Sequence, residues 1–154
     1  MGTEELTNFL IASSELPKTF SKDEIAALAA QLHVEEHPAG ELLIKESTPA
    51  CSLMLLLSGE VRRMLADVEL DLLHAGEFFG ESMFTDEGSH FANVVATEPV
   101  TIARLSVDHY GSLVETAPIA ARKFKQYFSA IHMQEVYEKQ GLSFVDQRSY
   151  LGLV

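Results

Sequence analysis

Six histidines and one cysteine are the residues of this chain that could ligate a metal or act as nucleophiles. His33 and His37 stand four apart, but His37 precedes Pro38, and a residue before proline is pushed out of the helical region. His74, His90, His109 and His132 have no neighbour at ligand spacing, so no metal site is expected. Cys51 lies in a Pro-Ala-Cys-Ser turn, with nothing in the sequence to act as its base or lower its thiol pKa. A bland turn residue is the expectation. A single cysteine also excludes an intrachain disulfide and a Cys-rich zinc site. Gly80-Glu81-Ser82 opens a break in the β pattern that ends before Phe91, and Arg63 shares one face of a period-two run with Val61. By itself, Glu81 in the first turn of a helix is ordinary dipole stabilisation. Arg122, Lys123 and Lys125 stand among Ala121, Phe124 and Tyr127, and three bases on an acidic chain form a solvated face.

Short elements must position these groups. Residues 3–12 and 21–32 read as helices, the second with Ser21 as N-cap and Glu24 three residues on to complete a capping box. From Leu32 the apolar period becomes two. β-rich runs cover 32–37, 41–46, 52–58, 60–66, 68–74, 91–97 and 100–106. Turn signals separate them at Pro38-Ala39-Gly40, Ser47-Thr48-Pro49, Ser58-Gly59, Ala75-Gly76 and Glu98-Pro99. Seven or eight short strands indicate an antiparallel sandwich or jelly roll rather than βαβ units. Gly80 to Gly88 interrupts the pattern as a short helix and loop. After Leu105 the helical period returns, with one helix over 107–116. A second starts at Pro118 and runs to about Gln140, where Gly141 is a natural stop. The apolar positions of that helix (Ile119, Ala120, Phe124, Tyr127, Phe128, Ile131, Met133, Val136, Tyr137) cover more than one stripe. One face is expected to pack on its own domain and the other on a second copy, giving a homodimer through helix 118–140.

The chain has 154 residues, 47% of them hydrophobic, and a formal charge of -12. A mass of 17.0 kDa buries roughly 69% of its unfolded surface, enough for one domain with one real core. The acidic balance argues against general nucleic-acid binding and against a polybasic membrane surface. No apolar run approaches the ~18–20 residues of a spanning helix, and the N-terminus lacks a basic leader, so a soluble cytoplasmic protein is expected. Residues 1–100 carry 18 acids and 5 bases, whereas 101–154 carry 5 and 6. The negative charge lies in the β-rich part.

From Leu16 to about Tyr137 the chain resembles the cyclic nucleotide-binding domain shared by catabolite activator proteins, kinase A regulatory subunits and cyclic-nucleotide-gated channels. The resemblance rests on blocks in order: Pro38-Ala39-Gly40-Glu41, Leu53 to Val61, Ala75-Gly76-Glu77-Phe78-Phe79-Gly80-Glu81, Ala92-Asn93-Val94-Val95-Ala96 and Ile102-Ala103-Arg104-Leu105-Ser106. It implies a mainly β fold with flanking α-helices. That fold is an eight-stranded antiparallel jelly roll with N-terminal helices and a long C-terminal helix. The expected layout is an N-terminal helical segment (1–31), the jelly roll (32–106) with a phosphate-binding-cassette-like loop (80–92), C-terminal helices (107–141) and an unassigned tail (142–154).

By the same resemblance, Gly80 and Glu81 take the cassette's glycine and ribose-binding glutamate positions, with Ser82 beside them. The Arg-Ser/Thr-Ala that closes the family cassette is His90-Phe91-Ala92 here, the preceding proline is Ser89, and Asp86 and Glu87 add negative charge. The ribose side matches and the phosphate side departs. A neutral imidazole offers one donor where arginine offers a permanently charged fork. Charge-assisted bonds contribute roughly 1.5–3 kcal/mol each, so their loss weakens phosphate binding by about tenfold to more than a hundredfold. Arg63, at a position where family strands carry an apolar residue, could supply the cation, pair with Glu81, or reach solvent. The expected function is a non-catalytic regulatory module with weakened or altered binding of cyclic AMP or cyclic GMP, and no other cofactor. The alternative is a module that binds no nucleotide and serves dimerisation or protein–protein contact. A cupin-like metal enzyme is remote, because no His-x-His with a following Glu is present. The roughly 14 residues after the long helix are expected to be too few for a helix-turn-helix domain.

Overall fold

The computed structural model describes residues 1–85 and 90–139, with backbone alone over 135–139. Asp86, Glu87, Gly88 and Ser89, the expected stop at Gly141 and the tail 142–154 lie outside the described residues, as do the side chains of Val136 and Tyr137.

The chain opens with α1 (Thr3–Ser13), a 3-10 turn at Leu16–Lys18 and α2 (Lys22–Ala29). Ser21 caps α2 as its spacing implies: its hydroxyl accepts from the Glu24 N–H, and the Glu24 carboxylate accepts from the Ser21 N–H. The helix is shorter than the expected 21–32. It ends at Ala29, and 3-10 bonds from Gln31 and Leu32 back to Leu28 and Ala29 tighten the exit into the first strand.

Eight strands follow: β1 (His33–His37), β2 (Leu42–Ile44), β3 (Ser52–Ser58), β4 (Val61–Leu65), β5 (Val68–Leu73), β6 (Phe78–Phe79), β7 (Asn93–Ala96) and β8 (Val100–Ser106). They form two four-stranded antiparallel sheets, β1-β8-β3-β6 and β2-β7-β4-β5, the two walls of a jelly roll. Two helices close the chain, α3 (Val107–Thr116) and α4 (Pro118–Lys139). Ser106 caps α3 by accepting from the His109 N–H.

β3 reads as a continuous apolar run because both of its faces are covered. Met54 and Leu56 point into the roll with Ile44, Val61, Leu73, Phe79, Val94 and Ile102. Leu53, Leu55 and Leu57 point the other way, into a helix layer built on Leu6, Leu10, Leu16, Ile25, Leu28, Leu113, Phe124 and Phe128. The two-residue period divides one strand between two cores. Each fully buried Leu, Ile or Phe contributes roughly 1.5–3 kcal/mol, so this strand ties the roll to its helices.

The buried stripe of α4 is Ala120, Ala121, Phe124 and Phe128, and the Phe20 ring stacks on Phe124 at 4.1 Å. Lys123 reaches back to the Glu24 carboxylate at 2.7 Å, joining α4 to the α2 cap. Elsewhere on α4, Ile119 is 77% exposed and Met133 is also exposed. Among the described residues, no helix is long and apolar enough to cross a membrane.

Candidate ligand cavity beneath the C-terminal helix

Between β6 and β7 the chain leaves the sheet at Gly80 and makes a four-residue 3-10 helix, Glu81–Phe84. Gly80 has φ +88, and a Cβ there would lie 2.6 Å from the Ser52 carbonyl oxygen. Only glycine fits both the left-handed backbone and the close approach to β3. Past the undescribed residues, the segment returns pinned to the 47–48 turn. The Ser47 N–H donates to the His90 carbonyl at 2.8 Å, and the His90 N–H donates to the Thr48 carbonyl at 3.0 Å.

The structure brings all seven residues singled out by sequence around one cavity. Gly80, Glu81, Ser82, His90, Phe91, Ala92 and Arg63 line it, together with Ile44, Phe79, Val94 and His132. Its volume is about 20 Å³, room for about one water molecule. Glu81 is only 3% exposed, and Ser82 and Ala92 are buried beside it. Ser82 Oγ lies 3.0 Å from His90 Nδ1, so this imidazole has a buried partner at one nitrogen. Burial pushes the His90 pKa below its ordinary value, and the neighbouring His132 pushes it further in the same direction. His90 is therefore a neutral ring at pH 7, with at most one N–H to offer an anion.

Arg63 does not reach solvent. It is 4% exposed and forks onto Asp71 of β5, with Nε 2.8 Å from Oδ1 and Nη2 2.6 Å from Oδ2. Sequence reasoning missed this partner. A cation on the cavity wall thus exists, held by a carboxylate of the neighbouring strand.

His132 is the second residue that sequence reasoning missed. It sits 1% exposed on α4, its ring edge-on to Phe91 with centroids 5.6 Å apart. The signal was present, since Phe124, Phe128 and His132 follow one another at i, i+4, i+8 and must share a face. Other contacts press α4 onto the 3-10 helix. Ser129 Oγ donates to the Phe84 carbonyl at 2.8 Å, and Phe84 stacks on Phe128 at 5.7 Å. Beyond Glu81, a second hollow of about 150 Å³ opens between Phe78, Tyr127, Phe128 and Ile131. Side chains from β2, β4, β6, β7 and α4 contribute to the lining of the cavity.

In this jelly roll one strand connection starts a short helix on glycine, buries a glutamate and lies beneath the following long helix. Comparisons with known proteins place it more narrowly. A family model described as the cyclic nucleotide-binding domain matches residues 34–117, more than half of the chain, and the chain belongs to that family. It is 32% identical over 101 residues to a cAMP-dependent protein kinase regulatory subunit of Colletotrichum orbiculare, covering 64% of this chain and 26% of that protein. Among solved structures it is similar to a cyclic nucleotide-binding domain from Methylobacillus flagellatus. The identity there is 25% and the TM-score 0.68, over 89% of this chain and 81% of that one. The regulatory domain of Toxoplasma gondii protein kinase A, solved with cAMP, shares the fold at 18% identity and TM-score 0.68, over 83% and 50% of the two chains. This chain spans about a quarter or less of the length of the curated relatives it matches.

Proposed function

We propose that this chain is a non-catalytic regulatory module that receives its signal in the cavity between residues 80–92 and α4. Cyclic AMP or cyclic GMP is the ligand class, bound more weakly than a cassette with arginine would bind it, and the setting is the cytoplasm. The observation that carries the reading is His90. It stands where the family cassette closes with arginine, and it is buried, neutral and engaged with Ser82. An anion arriving there meets one imidazole N–H instead of a charged fork. Phe91 and His132 reinforce the reading, because they fill a space that a small-molecule ligand needs at about 300 Å³ or more. Ligand entry therefore requires α4 or its rings to move, and only a ligand that prefers the opened arrangement shifts the balance.

Titration calorimetry with both cyclic nucleotides on the wild type and on His90→Arg tests this. The expected result is weak binding by the wild type and binding tighter by tenfold or more in the variant. Equal affinities would overturn the assignment of position 90. No binding by either protein favours the other reading, a module that serves assembly alone, for which the 20 Å³ cavity is the supporting observation. We also propose a homodimer through helix 118–140, supported by the exposed Ile119 and Met133. A monomer by light scattering at tens of micromolar would exclude it.

A further inference from the structure

Away from the cavity, the fold brings together two histidines 76 residues apart. His33 opens β1, and His109 lies in the first turn of α3. Their Nε2 atoms are 2.9 Å apart, and the ring centroids are 4.2 Å apart at an interplanar angle of 42°.

A straight N–H···N hydrogen bond between two imidazoles would hold their centroids about 5 Å apart. The two Nε2 atoms are at hydrogen-bond distance, one ring donating to the other, and at 4.2 Å the ring centroids lie closer than a straight bond would hold them. Two imidazoles each about 2.0–2.1 Å from one metal ion, at a right angle, have nitrogens about 2.9 Å and centroids about 4.5 Å apart. A tetrahedral ion would spread the nitrogens to about 3.4 Å. The observed nitrogen separation matches the right angle of a square-planar or octahedral ion, with the centroids 4.2 Å apart.

The surroundings suit a ligand pair. Ser106 Oγ lies 2.8 Å from His109 Nδ1, and in the tautomer that donates Nδ1–H to Ser106 the Nε2 lone pair faces outward, the arrangement of a metal-ligating histidine. Arg104, paired with His33 in the strand register, is engaged by Glu35 and by Ser52, so its charge is directed elsewhere. His33 is exposed and His109 partly so, which gives an ion a path in.

We propose that His33 and His109 form a two-histidine chelate for a divalent transition-metal ion of square-planar or octahedral preference, Cu²⁺ or Ni²⁺, joining β1 to α3. Among the described residues no set of three or more His, Cys, Asp and Glu converges, so water completes the coordination and affinity is moderate. Cu²⁺ binds more tightly than Ni²⁺ or Zn²⁺ by the usual order of divalent affinities, and the right angle widens its lead over Zn²⁺. Bound metal would fix α3, and with it α4, against the sheet. Tyr110 on α3 already donates its hydroxyl to the Ala121 carbonyl at 2.9 Å.

The test is calorimetry with CuCl₂, NiCl₂ and ZnCl₂ on the untagged full chain, its His33→Ala and His109→Ala variants, and His74→Ala as an exposed-histidine control. One equivalent of Cu²⁺ is expected, with affinity reduced about tenfold or more in each of the first two variants and unchanged in the third. At one equivalent, the Cu²⁺ spin-resonance spectrum should show two imidazole nitrogens. Wild-type affinity in either His33→Ala or His109→Ala, an equal loss in His74→Ala, or Zn²⁺ bound as tightly as Cu²⁺ would each overturn the proposal. Melting curves in a chelator show whether the alanine variants remain folded. His33→Gln and His109→Gln replace them if they do not, with the same loss of affinity expected.

Discussion

Arg63 and Asp71 face each other across the β4–β5 hairpin, joined by two parallel bonds, and a β-bulge creates that pairing. Near the turn Leu65 faces Val68 and Met64 faces Glu69, a register that would set Arg63 against Leu70. One extra residue on β5 shifts the ladder, so Arg63 meets Asp71, Arg62 meets Leu72 and Val61 meets Leu73. Opposite residues share a face, so the shift turns a buried arginine toward a carboxylate instead of a leucine.

Removing the carboxylate alone should therefore destabilise the fold. Asp71→Ala is expected to lower unfolding stability by about 3 kcal/mol, the lower end for breaking a buried pair, because the Asp71 side chain is 26% exposed. Replacing both residues, as Arg63→Met with Asp71→Leu, should cost less than the single change. Urea unfolding of both variants measures this. A loss below about 1 kcal/mol in Asp71→Ala would show that the pair is not structural.

His90 makes stability depend on pH. Its native pKa lies below the ordinary 6.5 of the unfolded chain, so in the window beneath 6.5 the unfolded state binds the extra proton and the native state does not. The contribution is fully present above that value and is lost as pH falls through the window. Chemical denaturation at pH 7.5 and pH 5.5 should show a smaller fall in stability for His90→Asn than for wild type. Equal falls would mean that the ring titrates as if in water.

Gly80→Ala should be costly and local. The variant must hold φ near +88 and place a methyl 2.6 Å from the Ser52 carbonyl oxygen, for a loss of about 2 kcal/mol or more. Thermal unfolding measures it. Gly111→Ala, where a Cβ meets nothing within 4 Å and φ is not left-handed, is the control and should be neutral or better.

Phe91→Ala should move stability and ligand binding in opposite directions. Truncating a half-buried ring that packs on His132 lowers stability by about 2 kcal/mol and opens the cavity. On the proposed function, nucleotide affinity rises by calorimetry. A stability loss with unchanged affinity would show that the ring does not restrict entry.

The fold was legible because its devices are local. Seven short β-rich runs between turn signals, the Ser21–Glu24 box and the Pro118 start each announce themselves within a few residues. The residues that the family resemblance singled out lie on one cavity after folding. Three features were not read. The bulge opposite Arg63 adds a residue that no hairpin count anticipates. His33 and His109 meet only because β1 pairs with β8, which leads into α3. His132 was judged against metal spacing, although its i+8 relation to Phe124 placed it on the buried face.

The ring pair on the cavity, Phe91 with His132, sits one turn of α4 beyond the rings that hold the helix layer together. Phe128 touches Phe78, Phe84, Phe124 and Tyr127, and the next turn of the same helix carries His132 to Phe91. On the proposed function, ligand cavity and scaffold are therefore coupled through successive turns of one helix. Substitutions that tighten this aromatic column should make the protein hardier and less responsive, and those that loosen it the reverse. Sensitivity to a ligand can then be tuned from positions that never touch it.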